Sequence, residues 1–492
     1  MKTTIIKTSI LALFAFLLAS CTSPSAEQPV QKVRLTFREN GKFKIVQFTD
    51  LHMYYGDPNT VKTLETVKTI LAAEKPDVAV LTGDIVLATP DSIVWMDLVK
   101  VFEETRTPFA VAFGNHDGER KESISRSGII DMLQQSPYFL GEQGPKDIPG
   151  ECNYVVPVYG RDNHMAALLY CFDSNSYSSN PRLSGYDPVH FDQIAWYRRK
   201  SEQLTAANGG KPLPALAFFH IPLPEYGLVA ERLFPNAGRI GSPGPSYNTG
   251  LFGSFLEMND VMGVFVGHLH GNDYIGIEKY IALGYGRCTG WSAGGRIERG
   301  ARIIELYENE FVFDTWLRTA KGVEQSFYFP TGITSMDKDT MTYLPAKDIK
   351  PTKQGVSYTY HEGRFGSVRE IDTAKIIDKG VMKYISVTET PVKYNYAFEF
   401  KALIHIPERD VYSFYTVSDD DSQIYIDEQL IVNKLGSPIT RIEGKVALEA
   451  GFHEMRVRYR QDAGGRFLEV GYATKDIRSR KVPEETLYLI EN

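Results

Sequence analysis

Cysteine is scarce. The 492-residue chain holds four, Cys21, Cys152, Cys171 and Cys288, and no CxxC pair, which excludes a zinc ribbon and a disulfide-dense scaffold. Any metal must therefore use other ligand types. A basic excess is lacking as well: 54 Lys and Arg stand against 61 Asp and Glu, so no global cationic field exists to hold a nucleic-acid backbone. Past the first twenty residues no apolar run is long enough to cross a bilayer. The chain also lacks the bias of a disordered, collagen-like or coiled-coil protein, with 43% hydrophobic and 23% charged residues, so packed domains are expected. At about 100 to 200 residues per domain, its length excludes a single folding unit.

What is there begins with an address. Lys2 and Lys7 precede an apolar stretch over 10–19, long enough for the core of an export signal and short for a spanning helix. It ends Leu18-Ala19-Ser20-Cys21, which resembles the bacterial lipobox and so implies cleavage before Cys21 and lipidation of it. Residues 1–20 are then a lipoprotein signal peptide and 21–40 a tether. The expected place is the bacterial cell envelope, lipid-anchored on the outer membrane and facing the periplasm, because Thr22 is not the acidic residue associated with inner-membrane retention. That compartment is oxidising. Apolar stretches over 154–158 and 165–170 flank Gly160-Arg161-Asp162-Asn163, a hairpin pattern. A turn centred between Arg161 and Asp162 sets Cys152 opposite Cys171, either as a bridge or as two reduced core thiols.

Over 41–320 short apolar strands alternate with helical patterns, which predicts an α/β layered domain of central β sheets flanked by helices. Strands are expected over 43–48, 78–81, 109–113, 216–219 and 261–266, and helices over 61–71 and 91–104. Pro330, Pro345 and Pro351 punctuate a polar stretch over 321–354, which reads as a connector. Over 355–492 the period falls to two: Tyr394, Tyr396, Phe398 and Phe400 share one face, as do Met455, Val457 and Tyr459. That predicts an all-β sandwich domain with the aromatic stripes inward.

Polar residues fall where the strands of the first block end, the place where open α/β sheets build sites. Asp50-Leu51-His52 sets a carboxylate and an imidazole on one side of extended backbone. Leu81-Thr82-Gly83-Asp84 offers a carboxylate whose two oxygens can serve two cations. Gly114-Asn115-His116-Asp117, His220 and Gly267-His268-Leu269-His270 follow. Each alone reads equally well as a cap, a turn residue or a core imidazole. Together Asp50, His52, Asp84, Asn115, His220, His268 and His270 point to a metal centre, and a shell of imidazole and oxygen suits Fe, Mn or Zn better than Ca.

This series, in this order, resembles the calcineurin-like metallophosphoesterase superfamily over about 41–320. Tyr154-Val155-Val156-Pro157-Val158, the stretch 191–198 and Tyr285-Gly286-Arg287 are most similar to its purple-acid-phosphatase-like branch. The resemblance implies two transition-metal ions, one among Asp50, His52, Asp84 and His270, the other among Asp84, Asn115, His220 and His268. Leu87 stands where purple acid phosphatases carry a tyrosinate, and Asp50-Leu51-His52 takes that place. The implied reaction is hydrolysis of phosphate esters, phosphomonoesters first, by a metal-bridging hydroxide and without a covalent enzyme intermediate. The resemblance also implies that His116, oriented by Asp117, protonates the leaving oxygen or stabilises its developing charge. Two other readings stand beside this one: a phosphodiesterase using the same centre, and a glycan-binding surface lipoprotein with an inactive phosphoesterase scaffold.

In the second block, 355–365, 412–427 and 448–459 resemble the protective-antigen-type β-sandwich, which often binds glycans. Through Ser418-Asp419-Asp420-Asp421 the resemblance implies Ca at Asp419 and Asp420; the alternative is a solvated acidic turn in a structural sandwich. Asp421 and Glu428 stand where this type usually has Gly.

Overall fold

The computed structural model describes residues 32–490 apart from 88, 184, 235–243, 388–389 and 437–438. The expected signal peptide and Cys21 lie outside the described residues. In the strand Lys42–Phe48, Phe43, Ile45, Val46 and Phe48 are all buried, so both of its faces need cover. Helices Pro58–Glu74 and Asp91–Thr105 supply part of it through Val67, Ile70, Leu71, Val94 and Leu98. The first helix starts where Asp57 accepts the Asn59 N–H at 2.9 Å and Pro58 presets φ, and it stops at Lys75 in left-handed backbone.

Lys42–Phe48 lies within a seven-stranded sheet, parallel to Val78–Thr82, which is parallel in turn to Phe109–Ala112. On its other side run the antiparallel strands Gly300–Tyr307, Phe313–Thr319, Gly322–Phe329 and Ile333–Thr334. A second seven-stranded sheet contains Ala215–Phe218 and Val261–Val266, again parallel. Alternation along these strands divides the core. Leu216, Phe218 and Phe265 join the apolar cluster of the first sheet, while Ala217, Phe219, Val264 and Val266 pack with Tyr197 and Phe255 of helices Phe191–Ala207 and Leu251–Met258. The result is two sheets with helices outside them.

Two expectations change. The hairpin forms, but it pairs Tyr154 with Cys171 and shifts register between Val158 and Tyr159. Cys152 therefore lies beyond the paired positions, and Cys152, Cys171 and Cys288 are free, buried thiols. The stretch 321–354 is more than a connector. Gly322–Phe329 pairs with Phe313–Thr319 and completes an edge hairpin of the first sheet. Its alternation is faint because only Phe327 and Phe329 are buried. The chain then forms the capped helix Ser335–Thr340, and Ile333 packs with Val411 and Ala447 of the next block.

That block is a β-sandwich. One sheet runs Asp378–Met382, Val356–Glu362, Tyr396–Ile406, Gly451–Gln461, Asp421–Ile426, Gln429–Lys434, and the other Thr440–Leu448, Asp410–Asp419, Phe467–Ala473, Arg480–Lys481. Tyr396, Phe398, Phe400, Met455, Val457 and Tyr459 meet Tyr412, Phe414 and Tyr472 between the sheets. Tyr394, expected in this stripe, precedes the strand and is exposed. Asp427 and Glu428 form the two-residue turn between Ile426 and Gln429, both with positive φ (45° and 67°). Such a turn favours Gly. Glu428→Gly should raise stability by about 0.5–1 kcal/mol, because the relief of left-handed strain exceeds the entropy lost by a freer unfolded chain. A higher thermal midpoint is the expected reading, and a lower one would contradict it. No helix among the described residues is long and apolar enough to cross a membrane.

Candidate metal centre

The residues singled out at the strand ends sit in backbone that side chains normally avoid. φ is 53° at Asp50, 43° at His52, 52° at Asp84 and 75° at His268. Left-handed positions gathered at one spot mark a site for which the fold tolerates strain. Two glycines let the loops close on each other. A Cβ on Gly267 would stand 1.9 Å from Thr49 Oγ1, and one on Gly114 would stand 2.3 Å from Asp84 Oδ1, so no other residue fits either place.

The side chains converge. Asp50 Oδ1 lies 3.4 Å from His270 Nε2. Asp84 Oδ2 lies 3.6 Å from His52 Nε2 and 3.1 Å from His220 Nε2. One ligand atom each from Asp50, His52, Asp84 and His270 falls within 4.8 Å of the others, and the same holds for Asp84, His220 and His268. Asp84 belongs to both groups. His220 donates Nδ1–H to Thr82 O at 2.7 Å, which fixes the tautomer and leaves Nε2 toward Asp84. Asn115 is buried, and its Oδ1 and Nδ2 have no hydrogen-bond partner; neither has His52 Nε2. Buried polar atoms rarely go unpaired, and orphans on this rim are what a cation would satisfy. The donor set fits two transition-metal ions.

Asp84 differs in detail from expectation. Its Oδ1 accepts the His116 N–H at 2.9 Å, so the atom facing both groups is Oδ2 alone, not one oxygen for each. Asp117 differs more. It does not touch the His116 ring: Oδ1 accepts the N–H groups of Ile85 and Val86, and Oδ2 that of Gly114. Burial, then the charge of Asp84, pushes its pKa up against those donors. Asp117 thus braces the loop that carries Asp84. The residue that holds His116 is Glu119, with Oε2 2.5 Å from Nδ1; its place three residues on, across Gly118, was the only sign in the sequence. Arg126 was also missed. It binds Gly114 O and Asp117 O and pairs with Asp173 at 2.8 Å, tying the loop to the second sheet.

The charges interlock. Burial would raise Asp84, yet His220 and His52 hold it well below the usual carboxylate range. Burial likewise opposes a proton on His220, but the Asp84 and Asp50 carboxylates push its pKa up to about 9. His268 is partly exposed, yet desolvation, and then the charge of His220, push its pKa down to about 4. A cation taking His220 Nε2 must displace its proton, so affinity there should rise roughly tenfold per pH unit up to about pH 9. Competitive Zn titrations at about pH 7 and about pH 8.5 measure this, and equal affinities would show that His220 does not bind the ion.

Residues 43–272 match the model of the calcineurin-like phosphoesterase family, and 352–486 that of the PA14 domain. The chain is 31% identical over 342 residues to "Probable inactive purple acid phosphatase 29" of Arabidopsis thaliana, across 61% of this chain and 87% of that one. It is 30% identical over 335 residues to "Phosphatase DCR2" of Saccharomyces cerevisiae, across 60% of this chain and 57% of that one. A dimetal phosphatase structure from Danio rerio is similar at 11% identity and a TM-score of 0.41, covering 58% of this chain and 98% of that one. With a relative of this identity covered over most of its length, and with both domain models matched, the chain belongs to the calcineurin-like phosphoesterase family, among purple-acid-phosphatase-like proteins, and carries a C-terminal PA14 domain.

Proposed function

We propose that this protein is an exported, lipid-anchored hydrolase of phosphate esters, phosphomonoesters first, working with two Fe, Mn or Zn ions. One observation supports the reading: six of the seven residues, Asp50, His52, Asp84, His220, His268 and His270, bring ligand atoms together in two groups that share Asp84, and the buried Asn115 amide and His52 Nε2 have no hydrogen-bond partner. Two bound cations supply Lewis acidity to the phosphoryl oxygens and lower the pKa of a nearby water.

The chain's own residues do the rest. Asp50, Asp84, Asn115 and His220 are buried, whereas His116, His268 and His270 are partly exposed, so a substrate enters on the histidine side. Glu119 holds His116 by Nδ1, which leaves Nε2 free to hand a proton to the leaving oxygen. Anchoring rests on the likeness of Leu18-Ala19-Ser20-Cys21 to a lipobox; acyl chains on Cys21 in the mass of the mature first peptide test it.

The names of several relatives support a second reading, an inactive scaffold that presents a glycan-binding PA14 domain. The two separate on p-nitrophenyl phosphate and bis-p-nitrophenyl phosphate, each with and without chelator. The proposal expects chelator-sensitive hydrolysis, faster on the monoester. Preference for the diester makes the protein a phosphodiesterase, and no hydrolysis of either by protein holding two metals per chain makes the scaffold inactive.

A further inference from the structure

Two members of the PA14 domain's acid run, Asp420 and Asp421, take donors from inside the protein. Lys434, 2% exposed, donates its ammonium to the main-chain oxygens of Asp420 and Gly436. Asp420 Oδ2 accepts the N–H groups of Asp462 at 2.7 Å and Ala463 at 3.3 Å. Asp421 accepts the Gly436 N–H and, at 2.9 Å, Arg460 Nε. Calcium needs six to eight oxygens turned toward it. Here Asp420 Oδ2 and both Asp421 oxygens face protein donors, and the Lys434 ammonium, close enough to feel the charges of Asp420, Asp421 and Asp419, already supplies a cation to this loop.

Beside this loop opens a cavity of ≈ 670 Å³, lined among others by Arg364, Phe365, Tyr394, Asn395, Arg460 and Asp462. Tyr394 is 37% exposed, which explains why it lies outside the sandwich core. The Lys393 ammonium stands 4.9 Å from the centre of its ring. Arg364 is exposed and pairs with no carboxylate among the described residues. Arg460 is anchored by Asp421 and by Phe365 O at 2.6 Å. The cavity thus gathers an aromatic face, an amide and a carboxylate, the groups that meet the ring face and hydroxyls of a sugar. Arg460 is already paired with Asp421 and lies 3.8 Å from Asp462, so the cation the cavity leaves open is the Arg364 guanidinium, a fork matched to a carboxylate.

We propose that the PA14 domain binds a carboxylate-bearing saccharide in this cavity, with Lys434 in place of calcium. The proposal rests on the saccharide reading of the PA14 domain and is independent of hydrolysis at the metal centre. Calorimetry of the full chain with trigalacturonate and with its fully methyl-esterified counterpart tests it, in calcium and in EGTA, for the wild type and for Arg364→Ala and Tyr394→Ala. The acid should bind equally in calcium and in EGTA. Methyl esterification and Arg364→Ala should each weaken binding by at least about tenfold, and Tyr394→Ala should weaken both saccharides alike. Equal affinity for the two saccharides would overturn the charge recognition while leaving the saccharide reading in place. Binding abolished by EGTA would overturn the role of Lys434. Failure of both to bind would overturn the proposal together with the saccharide reading and would leave the hydrolase reading untouched.

Discussion

Asp84→Asn is expected to lose both cations together and to lower phosphate-ester hydrolysis by at least about 10⁴-fold. The substitution keeps the volume and the Oδ1 that accepts the His116 N–H, so the loop stays in place. It removes the charge on the one atom that faces both His52 and His220. Asp50→Asn is the informative partner, because Asp50 belongs to one group only. It should release one ion and keep the other. Metal counting by inductively coupled plasma mass spectrometry reads both, with circular dichroism to confirm the fold. Two ions retained by Asp84→Asn would refute its shared position.

His116→Ala should behave differently, keeping two ions per chain and losing roughly 10² to 10³ in kcat. Its ring is partly exposed and packs edge-on against His52, and the one hydrogen bond from His116 to a candidate ligand is made by its backbone N–H. The deficit should be greater for an alkyl phosphate than for p-nitrophenyl phosphate, whose leaving oxygen needs little protonation. Glu119→Gln keeps the contact with Nδ1 but not the charge and should cost about tenfold on the alkyl ester. A variant of His116 that loses metal as Asp84→Asn does would contradict this division of labour.

The candidate site was legible because its residues lie at strand ends, and strands over 43–48, 78–81 and 261–266 are plain in apolar runs. A sheet then carries local pattern into three-dimensional convergence. Side-chain direction within a turn was not legible. Asp117 follows His116 directly, yet the chain bends at Gly118 with φ 75°, so Asp117 points inward to backbone N–H groups while Glu119 swings back to the imidazole. Period-two reading failed at its margins for the same kind of reason. Tyr394 continues the spacing of Tyr396 and Phe398, but the strand begins at Tyr396 and the alternation has no physical meaning before it. The Cys152 and Cys171 pairing failed for two reasons of one position each: the turn centres on Asp162, and the register shifts again near Val158, moving every residue past it. The edge hairpin at Gly322–Phe329 escaped because an edge strand buries little.

The central claim is that Asp84 stands between two cations held by Asp50, His52, His270, Asn115, His220 and His268. Anomalous diffraction from crystals of the Zn-loaded protein tests it most directly. The account predicts two peaks about 3.5–4 Å apart on either side of Asp84 Oδ2, one nearest His52 and His270 and the other nearest His220 and His268. A single peak, or two peaks that leave Asp84 outside their reach, would contradict it.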